Sequence, residues 1–208
     1  MFNLCAFQYI LKIETMIEQK INLRFTVLTA LILLCTFSRI IPHMPNFSPL
    51  GAVGLFGAAY FAKKWQAFLI PILATWLSDL FINNVIYGEF YPEFTWFYQG
   101  FYWQYGSYIL ITLVGLFVLS KINTKRIILG ALSSTAIFFL VSNFGSWIGS
   151  TIYPQTFGGL LTCYAAGIPF LKGSLLGDAV YSSILFGSFA YAQHKFLILR
   201  LAPVAISK

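Results

Sequence analysis

Six apolar runs, at residues 25–41, 47–62, 65–87, 100–119, 127–147 and 169–191, fill most of the 208-residue chain and carry few charges. A helix rising about 1.5 Å per residue crosses the roughly 30 Å hydrocarbon layer of a bilayer in about 20 residues. Five of the runs approach that length. The run at 47–62 is short and rich in Gly and Ala, and it is expected to be tilted, broken or only partly inserted. With 59% hydrophobic and 9% charged residues, the chain cannot furnish a water-facing surface, for which soluble domains use about 25% charged residues. That excludes a soluble globular domain, a disordered chain, a nucleic-acid binder with a solvated basic face and a small disulfide scaffold. The expected fold is all-α, an integral membrane six-helix bundle. It divides into an N-terminal segment (1–24), a membrane domain (25–192) and a C-terminal tail (193–208).

The basic residues set the orientation. Lys12, Lys20 and Arg24 precede the first run, and Lys63 and Lys64 lie between the second and third. Lys121, Lys125 and Arg126 separate the fourth from the fifth, and Lys195, Arg200 and Lys208 follow the sixth. Eleven of the 13 Lys and Arg residues thus fall in alternate segments, whereas 42–46, 88–99 and 148–168 contain none. This asymmetry places both termini in the cytoplasm of a cell (inner) membrane. The apolar stretch Leu4 to Leu11 lacks a small-residue cleavage site and does not read as a signal peptide, and Met16 is an alternative start. The remaining basic residues, Arg39 and Lys172, sit at the outer ends of the first and sixth runs.

Charges inside hydrocarbon cost roughly 2.5–3.5 kcal/mol each on insertion scales, so they turn toward protein or water. Arg39, Asp79, Asn143 and Asp178, from four different runs, reach similar heights in the outer half of the membrane. Thr75, Asp79 and Asn83 share one helix face, as do Ser174, Asp178 and Ser182, and Phe139, Asn143 and Trp147. Two readings follow. Arg39 and an aspartate form a structural ion pair, with neighbouring hydroxyls and Asn satisfying the rest; or these groups line a pocket for a small polar ligand.

The outer connections favour the pocket. Residues 42–49 read PHMPNFSP, with three prolines, too stiff for helix. Ten aromatics crowd 90–105, including Trp96; an interfacial belt accounts for most, and a stacking wall over a ligand accounts for others. The connection 148–168, carrying Tyr153 and Tyr164, is long, uncharged and Gly-rich, of the kind that folds back into a cavity where irregular backbone is covered. Small residues four apart, Ala58 with Ala62, Gly145 with Gly149 and Gly173 with Gly177, allow close helix approach within the chain or against a partner.

Catalytic patterns are absent. No Gly-x-x-x-x-Gly-Lys-Ser/Thr, HExxH or GxSxG occurs in the sequence. Three cysteines (Cys5, Cys35, Cys163) and two histidines (His43, His194) show no metal-ligand spacing. No enzyme activity, metal or cofactor is expected.

Several stretches taken together resemble a family of small bacterial six-helix membrane proteins: the segment from Arg39 to Pro49, Gly54-Leu55-Phe56-Gly57 and Leu77-Ser78-Asp79 in the first half. Ser142-Asn143-Phe144 with Trp147, Tyr153-Pro154-Gln155-Thr156 with Gly158-Gly159-Leu160, Cys163-Tyr164 and Ile168-Pro169-Phe170 carry it in the second. That family looks like the substrate-capture (S) subunits of energy-coupling factor (ECF) transporters. The resemblance implies an outward-opening ligand cavity capped by external loops, and coupling to a transmembrane T subunit and ATPases. In S subunits a small-xxx-small pattern near the first helix meets the T subunit; here Ala30 is followed by Leu34, and Ala58 with Ala62 is the pair that fits.

The expected function is membrane capture of a small polar organic molecule for uptake. Arg39, Asp79, Asn143, Trp147 and Asp178 serve as binding residues within the membrane, with Asn46, Trp96, Tyr153 and Tyr164 from the loops. Arg39 suits a carboxylate or phosphate, and the aspartates suit amine or hydroxyl donors. The alternatives are a structural or assembly protein whose polar groups lock the bundle, and a stand-alone ion-coupled carrier.

Overall fold

The computed structural model describes the backbone of residues 4–200 and the side chains of 20–200. Cys5, Lys12, Met16 and Lys208 lie outside the described side chains. Among the described residues the chain is all helical, with six α-helices and no strand. They are α1 (Leu4–Phe37), α2 (Leu50–Tyr60), α3 (Lys64–Phe81), α4 (Phe101–Val118), α5 (Thr124–Ile148) and α6 (Phe157–Lys195). All but α2 are long and apolar enough to cross a membrane, and the chain is a multi-pass membrane protein. Helix α1 runs unbroken across residue 24, so the expected N-terminal segment and first span form one helix.

The short helix organises the rest. Neighbouring contacts close a ring in the order α1, α3, α4, α5, α6, and α2 packs against all five from inside. Every α2 residue except Ala59 is buried. Its composition, Leu-Gly-Ala-Val-Gly-Leu-Phe-Gly-Ala-Ala-Tyr, explains the placement: apolar all round, it has no face for water. Its glycines admit close neighbours, and a Cβ at Gly57 would press on Pro71 and the Ala67 backbone of α3. At about 1.5 Å per residue, eleven residues of helix reach only some 16 Å. The ring is therefore filled by α2 over about half its height and must be closed otherwise beyond Leu50.

Part of that space is taken by residues 41–49. They leave helix at the 3-10 turn Ser38–Ile40, pass Asn46 in the left-handed region (φ 61°) and enter α2 at Pro49. Gly173 and Gly177 of α6 receive this strand-like segment: a Cβ at Gly173 would collide with the Pro45 carbonyl, and one at Gly177 with the Ser48 backbone. Residues 41–46 stay exposed, and the segment sinks into the bundle only from Phe47 to Pro49. The connection 148–168, expected to fold back into a cavity, contributes no residue to the one described below. Helix α6 begins already at Phe157, where the Thr156 side chain caps the Gly159 N–H, and Pro169 lies inside the helix rather than at its start.

The opposite end of α2 is sealed by aromatic packing. Phe56 meets Phe186 and Phe189 edge-on, with ring centroids 5.5 and 5.7 Å apart, and Tyr60 meets Phe189 at 4.6 Å. Arg24, only 6% exposed, lies over the Tyr60 and Phe189 rings. It donates to the Leu199 carbonyl at 2.6 Å and the Tyr60 carbonyl at 3.0 Å. The tail beyond α6 is thereby pinned to the bundle. Lys63 and Lys64 follow α2 immediately, so this is the lysine-bearing end.

Candidate functional site

Beyond the N-terminus of α2, the unfilled part of the ring encloses a cavity of about 290 Å³. Helices α2, α4, α5 and α6, the turns that follow α1 and α3, and the segment before α2 contribute to it. The 3-10 turn after α1 supplies Arg39, the inserted segment His43, Asn46 and Ser48, and α2 its first turn, Leu50 and Gly51. Helix α4 adds Gln104, Tyr108 and Ile111, α5 Ser134 and Phe138, and α6 Ser174 and Asp178. Ile82 and Tyr87 arrive by a different route: α3 ends in a π-helical turn, Ile82–Ile86, closed by the Tyr87 N–H on the Ile82 carbonyl at 2.9 Å. Such turns re-aim side chains, and here the residues at its two ends reach the cavity.

The two interior aspartates have different surroundings. Asp79 (4% exposed) is fully engaged. Arg39 Nη1 donates to Oδ1 at 2.6 Å and to Ser78 Oγ at 3.2 Å, and Tyr105 Oη donates to Oδ2 at 2.7 Å. Arg39–Asp79 is the one ion pair among the described residues. Asp79 itself does not line the cavity; it holds Arg39 at the cavity wall.

Asp178 (5% exposed) lines the cavity floor. Thr135 Oγ1 donates to Oδ2 at 2.8 Å, and the first turn of α2, at the Ala52 N–H, faces the same carboxylate. No basic side chain pairs with it among the described residues. Beside Oδ1 sits the buried Ser134 Oγ, whose hydroxyl faces the carboxylate. Gly51 lies against both atoms, and a Cβ there would overlap them. This is a position where only glycine fits.

Of the residues expected from sequence, Arg39, Asn46 and Asp178 line the cavity and Asp79 supports it. The others lie elsewhere. Asn143 packs against Gly167 of α6, its Nδ2 on the Phe139 carbonyl at 2.8 Å and its own carbonyl accepting from Cys163 Sγ. Gly167 is eleven residues from Asp178, about 16 Å along the helix, so Asn143 belongs to the α5–α6 contact. Tyr164 donates to the Leu140 carbonyl across that same contact. Trp147 Nε1 donates to the Pro154 carbonyl and Gln155 returns a bond to the Trp147 carbonyl, fastening the α5–α6 turn in which half-buried Tyr153 sits. Trp96, 59% exposed, stacks on Trp76 at 6.3 Å. Ala58 is buried, with Gly115 of α4 packed against it, while Ala62 is exposed in the turn after α2; the two form no common outward face.

Ser134, Thr135, Gln104 and Tyr108 carry no sequence signal of this role, and Tyr105 is one of the ten aromatics of 90–105, most of which suit an interfacial belt. Among the described residues no group of three His, Cys, Asp or Glu side chains comes together to hold a metal.

Fold and site together define a multi-pass helical membrane protein with a polar cavity built over a short central helix. Residues 19–203 match a family described as a family of unknown function (DUF6580), and the chain belongs to that family. No curated protein matches the chain, and no solved structure does.

Proposed function

We propose that this protein captures a small polar organic molecule in the cavity over α2 and presents it for uptake across the cell membrane. The observation that carries the reading is a hollow of about 290 Å³ lined by both Arg39 and Asp178. Its volume sits at the small end of the roughly 300–1,000 Å³ typical of small-molecule sites. Buried polar groups in a packed bundle ordinarily satisfy one another, as Arg39, Asp79 and Tyr105 do; Ser134 and Asp178 face open space.

The lysine-bearing segments favour a cytoplasmic location for both termini and for the end of α2 at Tyr60. The cavity then lies in the outer half and receives its ligand from outside, with residues 42–48 and the aromatic connection as its cover. The chain carries no nucleotide-binding motif, so accumulation against a gradient needs a separate ATPase module, consistent with the likeness to ECF S subunits. The partner T subunit would meet the cytoplasmic face near Ala62, because Ala58 is spent on internal packing.

Equilibrium dialysis of the purified protein against a polar metabolite extract, followed by mass spectrometry of the retained compounds, tests this. Enrichment of one compound class at near-stoichiometric occupancy is expected. No enrichment over a denatured control would contradict the reading and leave the bundle a structural protein with a hydrated void.

A further inference from the structure

We infer that the floor of the cavity is a subsite for a protonated amine, in which Asp178, Ser134 and Ser174 receive the ammonium group of a monocationic organic molecule. The inference rests on the capture reading and specifies its ligand class.

The charge arithmetic comes first. Arg39 and Asp79 neutralise each other at 2.6 Å, which leaves Asp178 as the unbalanced charge among the described groups of the cavity. An unpaired carboxylate in a membrane interior is costly, and the cost falls when a cation joins it. The first turn of α2 and the Thr135 hydroxyl face the Asp178 carboxylate but add no positive group. A cationic ligand completes the pair.

The donor–acceptor inventory agrees. An ammonium group has three N–H donors. Asp178 Oδ1 and Ser134 Oγ lie side by side, and Ser174, one helical turn before Asp178, lines the same cavity. Three oxygen acceptors suit an ammonium, whereas hard metal cations take about six or more oxygen ligands. An apolar body also has its place. Tyr108 and Phe138 lie parallel, 6.0 Å apart, at the cavity wall, where aromatic faces attract organic cations as well as packing apolar carbon.

Three probes of one shape separate the possibilities: 2-phenylethylamine, 2-phenylethanol and phenylacetate, each titrated against the full chain in nanodiscs with thermal unfolding and calorimetry as readouts. The amine is expected to bind and to raise the melting temperature, with the alcohol and the carboxylate at least tenfold weaker. Ser134→Ala, which removes the hydroxyl beside Asp178 Oδ1, should weaken the amine about tenfold, the effect of one hydrogen bond to a charged group. Asp178→Asn should abolish the preference for the amine. Equal binding of all three probes, tighter binding of the carboxylate, or an unaltered amine affinity in both variants overturns the amine subsite while leaving ligand capture standing. Displacement of the amine by sodium chloride but not by choline chloride overturns it in favour of a metal-cation site. Failure of the amine to bind overturns the amine subsite, and absence of any retained compound in the dialysis overturns ligand capture as well.

Discussion

Arg39 and Asp79, forty positions apart in the chain, meet through a 2.6 Å ion pair that ties the turn after α1 to α3. Tyr105 extends the tie to α4 through the second carboxylate oxygen. This network is complete without a ligand, whereas Asp178 on the other side of the cavity has one side-chain donor and no counter-charge among the described residues. The two aspartates therefore do different work: one holds the wall and the other faces the hollow.

Removing one half of the pair should expose that difference. Arg39→Gln leaves the Asp79 carboxylate buried without its cation and is expected to cost about 3 kcal/mol, as for other broken buried pairs. The double variant Arg39→Met with Asp79→Leu should recover much of the loss, because well-packed apolar residues can replace a buried pair. Thermal unfolding of the wild type, Arg39→Met, Asp79→Leu and the double variant, arranged as a double-mutant cycle, checks this.

Arg24 offers a second test at the other end of α2. Its guanidinium joins the tail at Leu199 to the end of α2 at Tyr60. Arg24→Met keeps the apolar stem but loses both bonds and is expected to destabilise by about 2–4 kcal/mol. Limited proteolysis should then cut the tail after Lys195 sooner than in the wild type. Probe binding in the cavity should be unchanged, since Arg24 lies beyond the far end of α2.

Gly177 tests the inserted segment. Gly177→Ala drives a methyl group into the Ser48 backbone, and overpacking of this kind costs about 1–3 kcal/mol. The expected result is a lower melting temperature together with weaker probe binding, because Ser48 and Asn46 shift with the segment. The control is Gly187→Ala on the same helix, where a Cβ meets nothing within 4 Å; it should be neutral or slightly stabilising.

Much of this architecture was legible in the residues, and what was not has physical reasons. Charge-poor runs and alternating lysines mark six helices because a bilayer leaves the backbone few choices. The triplets Thr75, Asp79, Asn83 and Ser174, Asp178, Ser182 are buried as their spacing predicts. Pro169 misled, since proline usually ends helices in water but is accommodated within long membrane helices. The apolar stretch 157–168 accordingly belongs to α6. Ser134 and Thr135 were not visible because Ser and Thr in a span ordinarily bond to their own helix carbonyls, as Ser142 and Thr112 do. Which face of α5 turns inward is decided by Gly51, whose missing Cβ lets α2 approach that pair. Asn143 read as a site residue by depth, but Gly167 opposite it creates a helix contact at the same height.

Native mass spectrometry of the gently extracted wild-type protein beside Ser174→Phe addresses the central claim most directly, because the new ring fills the hollow while leaving Arg39, Asp79 and Asp178 in the sequence. The account predicts a wild-type peak carrying one small-molecule adduct and a Ser174→Phe peak without it, at equal or higher melting temperature. An adduct retained in both proteins, or two bare chains that differ only in stability, would contradict it.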